Sequence, residues 1–422
     1  MSAFKHPSRL ALEPVPENIT NERLSCTDDH LPDSVFKILD PDSGRMYGFA
    51  VVDDTRRGPG LGGIRLARDL TLEEVKRLAR VMTLKNSGAN LPYGGGKSGL
   101  IGDPSFLNQN LGLKSDLISM FAEAIFELDS YIPAPDMGTD ERDLQIIYEV
   151  YSRHGAGSQD FRGVTGRPIE NGGIPVDDWG LTAHGLLAAS ETLEKIDDQF
   201  KIKNSSVVVQ GYGNVGSCTA IKLQQAGATI VGASDIHAGL WNPQGLNTDE
   251  LNRVRHSSQG LQNYTGKIQK KFVGKKLDWL MEAPCEFLVP AARPDSITSR
   301  NADRIQCKVI LQGANTPSNK MTEYYLKNRR GILSLNDFIV NVGGVVGCAV
   351  EIKMAADPEY RDKVRETGTR TYLEDLIYST VSRNVEEIFQ RLKGSPQDTL
   401  FREQALELVE ERLNSHQKEC WL

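Results

Sequence analysis

The amino-acid sequence predicts an α/β fold of two domains, an N-terminal α/β domain and a Rossmann-type domain, followed by C-terminal helices. Three observations lead to this prediction. The chain has 422 residues, too many for one ordinary hydrophobic core, which favours two domains. From about Asn204, short apolar runs alternate with helical patterns, as in a parallel sheet with crossover helices. From about Ala349 the pattern is strongly helical.

The composition is that of a compact globular protein, and the net charge of -7 provides no broad basic surface. We therefore expect a small-molecule partner rather than nucleic acid or a membrane. The six cysteines are scattered without a C-x-x-C pair, no signal-peptide segment precedes them, and no apolar run reaches membrane-spanning length. A cytoplasmic protein with reduced thiols is expected. The histidines have no metal-ligand spacing, so no metal site is predicted.

The first part of the chain predicts an arm, a hairpin and three helices. Residues 1–34 are proline-rich and polar, and residues 35–54 read as two apolar runs around an Asp-Ser-Gly turn. The segment TLEEVKRLARVMTLKN begins with the capping-box signature Thr71-x-x-Glu74 and continues with an apolar stripe at helical spacing. Two further helical patterns, SDLISMFAEAIFELD and DERDLQIIYEVYSRHG, flank YIPAPDMGT, which is interpreted as a loop.

The strongest local motif is GYGNVG, which follows a predicted strand and opens a predicted helix. Gly211 makes the tight turn, Gly213 allows the backbone to approach a pyrophosphate, and Gly216 allows close packing of helix and strand. Asp235 ends the next strand and is placed to accept hydrogen bonds from ribose hydroxyls. Because no Arg or Lys follows within the next three residues, NAD is favoured over NADP.

The stretch LPYGGGKSGL resembles the end of a phosphate-binding loop, but that loop needs a glycine where Leu91 stands. A triphosphate site is therefore disfavoured. Lys85 continues the apolar stripe of the preceding helix, so it either extends to the surface or lines a polar cleft. The stretch LPYGGGKSGL is interpreted as a loop, in which Lys97 is either a solvated lysine or an amine whose pKa is lowered for base chemistry. Asp136 is either a turn carboxylate or a functional one.

Taken together, these segments resemble the glutamate/leucine/phenylalanine/valine dehydrogenase superfamily over about residues 45 to 350. The motifs that carry the resemblance occur in the family's order: GPGLGGIR, MTLKN, LPYGGGKSG, PDMGT, VTGRP, GYGNVG, LVPAA, QGAN and NVGGVV. The resemblance implies a substrate-binding and oligomerisation domain over residues 1–185, a dinucleotide-binding domain over residues 186–345, and a helical segment over residues 346–422 that packs back toward the first domain.

The resemblance also implies roles for individual residues. Lys97 and Asp136 are the implied catalytic pair, and Lys85 is implied to bind the substrate α-carboxylate. The other residues implied to contact the substrate are Leu61, Gly62, Ala134, Thr165, Val345 and Cys348. The residues implied to contact the dinucleotide are Gly211, Gly213, Asn214, Val215, Gly216, Asp235, Thr182, Asn315 and Asn341.

The implied reaction is reversible oxidative deamination of an L-amino acid to a 2-oxo acid and ammonia by a homo-oligomer. Glutamate-specific members place a lysine and a serine where this chain has Leu61 and Cys348. A buried substrate carboxylate without such partners is costly, so an uncharged aliphatic or aromatic substrate is expected. Glutamate is the alternative, because LPYGGGK and VTGRP resemble the glutamate branch. A non-catalytic NAD-binding regulator is a further alternative, which the presence of both lysines and the aspartate disfavours.

Overall fold

The computed structural model describes residues 6–15, 30–155 and 163–415, and it divides into two compact units. The first unit contains the described residues of 1–175, 345–369 and 412–422. The second unit contains residues 176–344 and 370–411. The C-terminal helices are thus shared between the two units, and the domain limits expected from the sequence stay predictions.

The first unit is built on a mixed sheet of six strands in the order β1-β2-β3-β5-β4-β6. Its strands are β1 (Ala11–Pro14), β2 (Ser34–Asp40), β3 (Arg45–Asp54), β4 (Gly60–Ala67), β5 (Gly94–Ile101) and β6 (Tyr131–Pro135). Strands β2 and β3 pair in antiparallel fashion, which confirms the predicted hairpin. Strand β4 lies parallel to both β5 and β6.

Three expectations about this sheet were wrong. The predicted arm contains β1, which pairs with β2, while residues 1–5 and 16–29 of the arm lie outside the described residues. LPYGGGKSGL and YIPAPDMGT, read from the sequence as loops, contain β5 and β6. Their glycines and prolines hide the alternating pattern of a strand, but pairing with both neighbours holds β5 in the sheet.

The helices of the first part of the chain are α1 (Leu72–Gly88), α2 (Pro104–Gln109), α3 (Leu111–Phe126) and α4 (Glu141–Arg153). The Thr71 side chain accepts the backbone N–H of Glu74 and caps α1, as the sequence predicts. Helix α1 lies very close to β5, because a Cβ atom on Gly95 would stand 2.2 Å from the backbone nitrogen of Thr83. Glycine is therefore required on the strand beneath the helix.

The second unit is a seven-stranded sheet in the order β10-β9-β8-β7-β11-β12-β13. Its strands are β7 (Ser206–Gln210), β8 (Thr229–Ser234), β9 (Gly239–Trp241), β10 (Lys270–Phe272), β11 (Phe287–Pro290), β12 (Val309–Leu311) and β13 (Leu333–Leu335). All pair in parallel except β9 and β10. This arrangement confirms the predicted Rossmann-type sheet.

The remaining helices are α5 (Leu181–Ile196), α6 (Asn214–Gln225), α7 (Thr248–Val254), α8 (Lys320–Arg330), α9 (Asp337–Val340), α10 (Gly343–Ala356), α11 (Pro358–Thr367), α12 (Thr369–Lys393) and α13 (Phe401–Asn414). The buried Arg402 of α13 bonds to both oxygens of the buried Glu323 on α8, at 2.7 and 2.8 Å. This ion pair holds the start of α13 against α8. Among the helices that the structure describes, none has the length and apolarity needed to cross a membrane.

Candidate active site

A row of alternating charges lies on the sheet of the first unit. Lys97 stands in the middle of β5, opposite Val51 of β3, and its ammonium group contacts Oδ2 of Asp136. Oδ1 of the same carboxylate accepts a 3.0 Å hydrogen bond from Nε of Arg65 on β4. A second nitrogen of Arg65 contacts Glu74 in the first turn of α1. The row therefore runs from Lys97 through Asp136 and Arg65 to Glu74.

Local sequence holds the Asp136 carboxylate in this position. The backbone N–H of Met137 donates to Asp136 Oδ1 at 2.6 Å, and the backbone N–H of Asp136 donates to the Thr139 hydroxyl at 3.0 Å. That hydroxyl donates in turn to the Ile64 carbonyl at 2.8 Å, which ties the turn to β4. A Cβ atom on Gly63 would stand 2.8 Å from Cβ of Asp136, so the glycine leaves the room that the aspartate occupies.

The electrostatics of the row follow from burial and from the order of the charges. The Lys97 side chain is only 2% exposed, whereas that of Asp136 is 15% exposed. Burial lowers the pKa of Lys97, outweighing the Asp136 carboxylate, and the Arg65 cation lowers this pKa further. Burial acts to raise the pKa of Asp136, but Lys97 and Arg65 hold that pKa well below its usual range. Asp136 is therefore an anion, and Lys97 is an amine that loses its proton more easily than a solvated lysine.

The residues expected to contact the substrate lie on elements that adjoin this row of charges. Leu61 and Gly62 are buried on β4, with Ile132 and Pro133 of β6 as their strand partners. Lys85, 8% exposed, lies in the last turn of α1, beside Asn86, whose amide donates to the Leu61 carbonyl at 3.3 Å. The sequence left the position of Lys85 open, and the structure places it in a buried layer.

Ala134, Thr165, Val345 and Cys348 also belong to the first unit. The backbone N–H of Thr165 donates to the Pro133 carbonyl of β6 at 3.2 Å, and the Thr165 hydroxyl donates to the Cys348 carbonyl of α10 at 3.2 Å. Thr165 thus joins the strand that carries Ala134 to the helix that carries Val345 and Cys348. All four side chains are buried.

The glycines of GYGNVG have the local geometry expected of them. Gly211 has φ +94°, a left-handed conformation that favours glycine. A Cβ atom on Gly216 would stand 1.9 Å from the Gly211 carbonyl oxygen, so helix α6 can approach β7 only because the residue is glycine. A Cβ atom on Gly213 would meet nothing within 4 Å, which leaves open space beside the exposed backbone at the N-terminus of α6. Asn214 and Val215 begin that helix.

Asp235 lies in a cavity of about 880 Å³ that Gly211 and Gly213 also line. Its Oδ1 accepts the backbone N–H groups of His237 and Ala238, both at 2.8 Å, and its Oδ2 accepts the Leu261 N–H at 2.6 Å. The carboxylate is therefore firmly oriented. The cavity also contains cations that come from distant segments and that the sequence did not reveal: Arg255, Lys275 and Arg293.

The last three residues of the dinucleotide set lie near one another in the second unit. The Asn341 amide donates to the Gly313 carbonyl at 3.1 Å, which connects it to the QGAN segment containing Asn315. Thr182 lies against the NVGG segment, since a Cβ atom on Gly344 would stand 3.3 Å from its hydroxyl oxygen. The residues expected to contact the substrate thus lie in one unit, and those expected to contact the dinucleotide lie in the other.

Sequence reasoning missed Arg65 and Glu74, the two outer members of the charge row. The available signal was the arginine inside GPGLGGIR, which follows three glycines on what proved to be a buried strand. A charged residue on such a strand requires a partner. Among the described residues, no group of three or more His, Cys, Asp or Glu side chains is placed to hold a metal ion.

Comparisons with known proteins cover most of the chain. Residues 172–406 match the Glutamate/Leucine/Phenylalanine/Valine dehydrogenase family, and residues 32–153 match the Glu/Leu/Phe/Val dehydrogenase dimerisation domain. The NADP-specific glutamate dehydrogenase of Saccharolobus shibatae is 36% identical over 72% of this chain and 70% of its own length. The catabolic NAD-specific glutamate dehydrogenase of Bacillus subtilis is 36% identical over 68% of this chain and 66% of its own length.

The fold is also similar to a solved structure. The leucine-bound form of a hetero-hexameric glutamate dehydrogenase from Thermus thermophilus superposes with a TM-score of 0.73 at 27% identity. The match covers 96% of this chain and 88% of that chain. The similarity therefore extends through both compact units.

Proposed function

The chain belongs to the glutamate/leucine/phenylalanine/valine dehydrogenase family and is an NAD(P)-dependent amino acid dehydrogenase, and we propose that its substrate is an L-amino acid with an uncharged side chain. The observation that carries this proposal is the character of the predicted side-chain pocket. Leu61 is 0% exposed and Cys348 is 9% exposed, and both stand where glutamate-specific relatives are expected to place a lysine and a serine. Neither supplies a cation for a second carboxylate.

The proposed chemistry uses the pair at the centre of the charge row. Lys97, when neutral, takes a proton from the water that attacks the imine carbon of the substrate. Asp136, held as an anion, exchanges protons with the substrate nitrogen as the carbinolamine forms and collapses. Lys85 supplies a cation for the α-carboxylate. Contact between Lys97 and Asp136 supports a shared proton path. The burial of Lys97 supports a base, because it favours the neutral amine over the ammonium ion.

The second unit fits a dinucleotide. Gly213 leaves open space beside the N-terminus of α6, where backbone N–H groups can meet a pyrophosphate. A bound nicotinamide would supply the hydride acceptor for the amino acid Cα. We propose NAD as the preferred form, because the oriented Asp235 carboxylate would repel a 2′-phosphate. Arg255, Lys275 and Arg293 could instead receive that phosphate, so NADP is the alternative.

We also propose a homo-oligomer, since residues 32–153 match a dimerisation domain. The similar Thermus protein, a hetero-hexamer, supports assembly of several chains. The mass of the purified protein, measured by light scattering during gel filtration, tests this proposal. A monomeric mass would contradict it.

The substrate proposal is tested with NADH, ammonium and a panel of 2-oxo acids, following NADH consumption. We expect 4-methyl-2-oxopentanoate or phenylpyruvate to have the highest kcat/KM. Preference for 2-oxoglutarate would instead establish glutamate as the substrate, a second candidate that the glutamate dehydrogenase relatives favour. Binding of NADH without turnover of any oxo acid would point to a non-catalytic regulator. Repeating the assay with NADPH in place of NADH shows, from the two kcat/KM values, which dinucleotide the enzyme prefers.

A further inference from the structure

The charge row contains two residues, Arg65 and Glu74, for which the reaction proposed above has no role. Arg65 is 9% exposed on β4, and its guanidinium is held at both ends by carboxylates. Glu74 is half-buried in the first turn of α1, where Thr71 caps the helix and fixes its start. Such an arrangement is costly to bury unless every charge is paired, and here every charge is.

We propose that Arg65 and Glu74 are positioning residues that control, in opposite directions, how readily Lys97 gives up its proton. Arg65 does so by taking one oxygen of Asp136, so that Lys97 shares the carboxylate with a second cation. Glu74 does so by holding Arg65 and by adding a negative charge to the row. This inference rests on the proposed function, because it assigns a task to Lys97.

The two carboxylate oxygens of Asp136 have different partners. Oδ1 of Asp136 accepts Arg65 Nε at 3.0 Å and the Met137 N–H at 2.6 Å, while Oδ2 contacts Lys97. If Arg65 were absent, the Asp136 charge would act on Lys97 alone, and Lys97 would retain its proton more strongly. If Glu74 were neutral, less negative charge would offset the Arg65 cation, and Lys97 would lose its proton more readily.

The signs of the individual effects agree with this reasoning. The Arg65 cation lowers the pKa of Lys97, and the Glu74 carboxylate raises it. Other charged groups lie on the elements packed against β5. Asp53 of β3 accepts a hydrogen bond from Thr83 of α1 at 2.6 Å, and Lys85 lies on the same helix. Neither is in the row that connects Lys97 to Asp136.

The experiment compares the pH dependence of kcat/KM in three full-length variants. Arg65→Gln removes the cation, and we expect the limb that reports deprotonation of Lys97 to move to higher pH. We also expect kcat/KM at neutral pH to fall by about 10²-fold, since the base is also displaced. Glu74→Gln keeps an oxygen that accepts from Arg65 but removes the charge, and the same limb should move to lower pH. Arg65→Lys keeps the charge and should stay nearer the wild type than Arg65→Gln.

Arg402→Gln is the matched control, because it removes a buried arginine of similar exposure that also pairs with a carboxylate. It should lower the melting temperature without moving the limb. Opposite shifts in the Arg65→Gln and Glu74→Gln variants cannot arise from general loosening of the fold. Shifts in the same direction, or no shift in either variant, would overturn the proposal. Glu74 has 35% side-chain exposure, so its variant stays informative if Arg65→Gln does not fold.

A readout that needs no turnover separates this inference from the proposed reaction. Cyanate carbamylates neutral amines, and the rate at Lys97 can be followed by peptide mass spectrometry across pH. At a fixed pH we expect slower modification in Arg65→Gln and faster modification in Glu74→Gln. Equal rates in all proteins would refute the role of the row. If the carbamylation rates differ among the variants as expected but the wild-type protein turns over no substrate, only the proposed function is refuted.

Discussion

Replacing Leu61 by lysine should change the enzyme's preference from an uncharged 2-oxo acid to 2-oxoglutarate. Leu61 is fully buried on β4, between its partners Gly95 on β5 and Ile132 on β6. Ala134, Val345 and Cys348 are at most 9% exposed, and none of them carries a charge. A lysine at position 61 would therefore introduce a cation into an apolar surrounding.

The size of the effect follows from the cost of an unpaired charge. A carboxylate buried in this pocket without a cation should cost about 4 kcal/mol, which corresponds to roughly a 10³-fold loss of affinity. A lysine about 4 Å from that carboxylate would return about 4 kcal/mol at the effective dielectric constant typical of protein sites. We therefore expect the ratio of kcat/KM for 2-oxoglutarate to that for 4-methyl-2-oxopentanoate to rise by roughly 10²- to 10³-fold.

The assay is initial-rate NADH oxidation with both oxo acids, and Leu61→Met is the control for volume without charge. Because the new lysine is buried without a partner in the free enzyme, 2-oxoglutarate should also raise the melting temperature of the Leu61→Lys variant more than that of Leu61→Met. A Leu61→Lys variant that folds, turns over 4-methyl-2-oxopentanoate and still ignores 2-oxoglutarate would refute the reasoning. Leu61 would then not face the substrate side chain.

Three further predictions concern the proposed base and the dinucleotide. Lys97→Met should lower kcat by about 10²- to 10⁴-fold, as expected for loss of a general base, while the NADH Kd measured by fluorescence stays within about twofold; retained turnover would exclude Lys97 from the chemistry. Gly213→Ala should weaken NADH binding, because the new methyl group occupies the space proposed for the pyrophosphate, but it should leave the melting temperature unchanged, because its Cβ meets no protein atom within 4 Å. Gly216→Ala should lower both the NADH affinity and the melting temperature, because its Cβ would lie 1.9 Å from a carbonyl oxygen. Equal effects of the two glycine substitutions would contradict the different roles assigned to them. Asp235→Ser should raise the kcat/KM ratio of NADPH to NADH by on the order of 10²-fold by removing like-charge repulsion, and an unchanged ratio would show that Asp235 does not discriminate.

Several features of the candidate site could be predicted because they depend on neighbours in the sequence. The turn, the open backbone and the close helix packing of GYGNVG come from three glycines within six residues. The Thr71 cap and the apolar stripe of α1 likewise follow from spacings of three and four residues. The same reasoning disfavoured a phosphate loop at Leu91, which stands where that loop needs a glycine.

Strand β5 shows where such local reasoning fails. Three consecutive glycines before Lys97 resemble a loop, yet they form a buried strand between β3 and β4. Their lack of side chains is what allows α1 to lie directly on the sheet, as the contact between Gly95 and Thr83 shows. Pairing partners, which are distant in sequence, decided the conformation of this segment.

The sequence by itself determined the family, the Rossmann-type βαβ unit and the identity of Lys97 and Asp136 as candidates for chemistry. Only the tertiary structure decided that Asp136 is shared between Lys97, which is 39 positions away, and Arg65, which is 71 positions away. The order of β5, β4 and β6 in the sheet brings the three side chains together. Periodicity reports whether a residue is buried, but the partner of a buried charge depends on which strands become neighbours, and that is settled only when the chain folds.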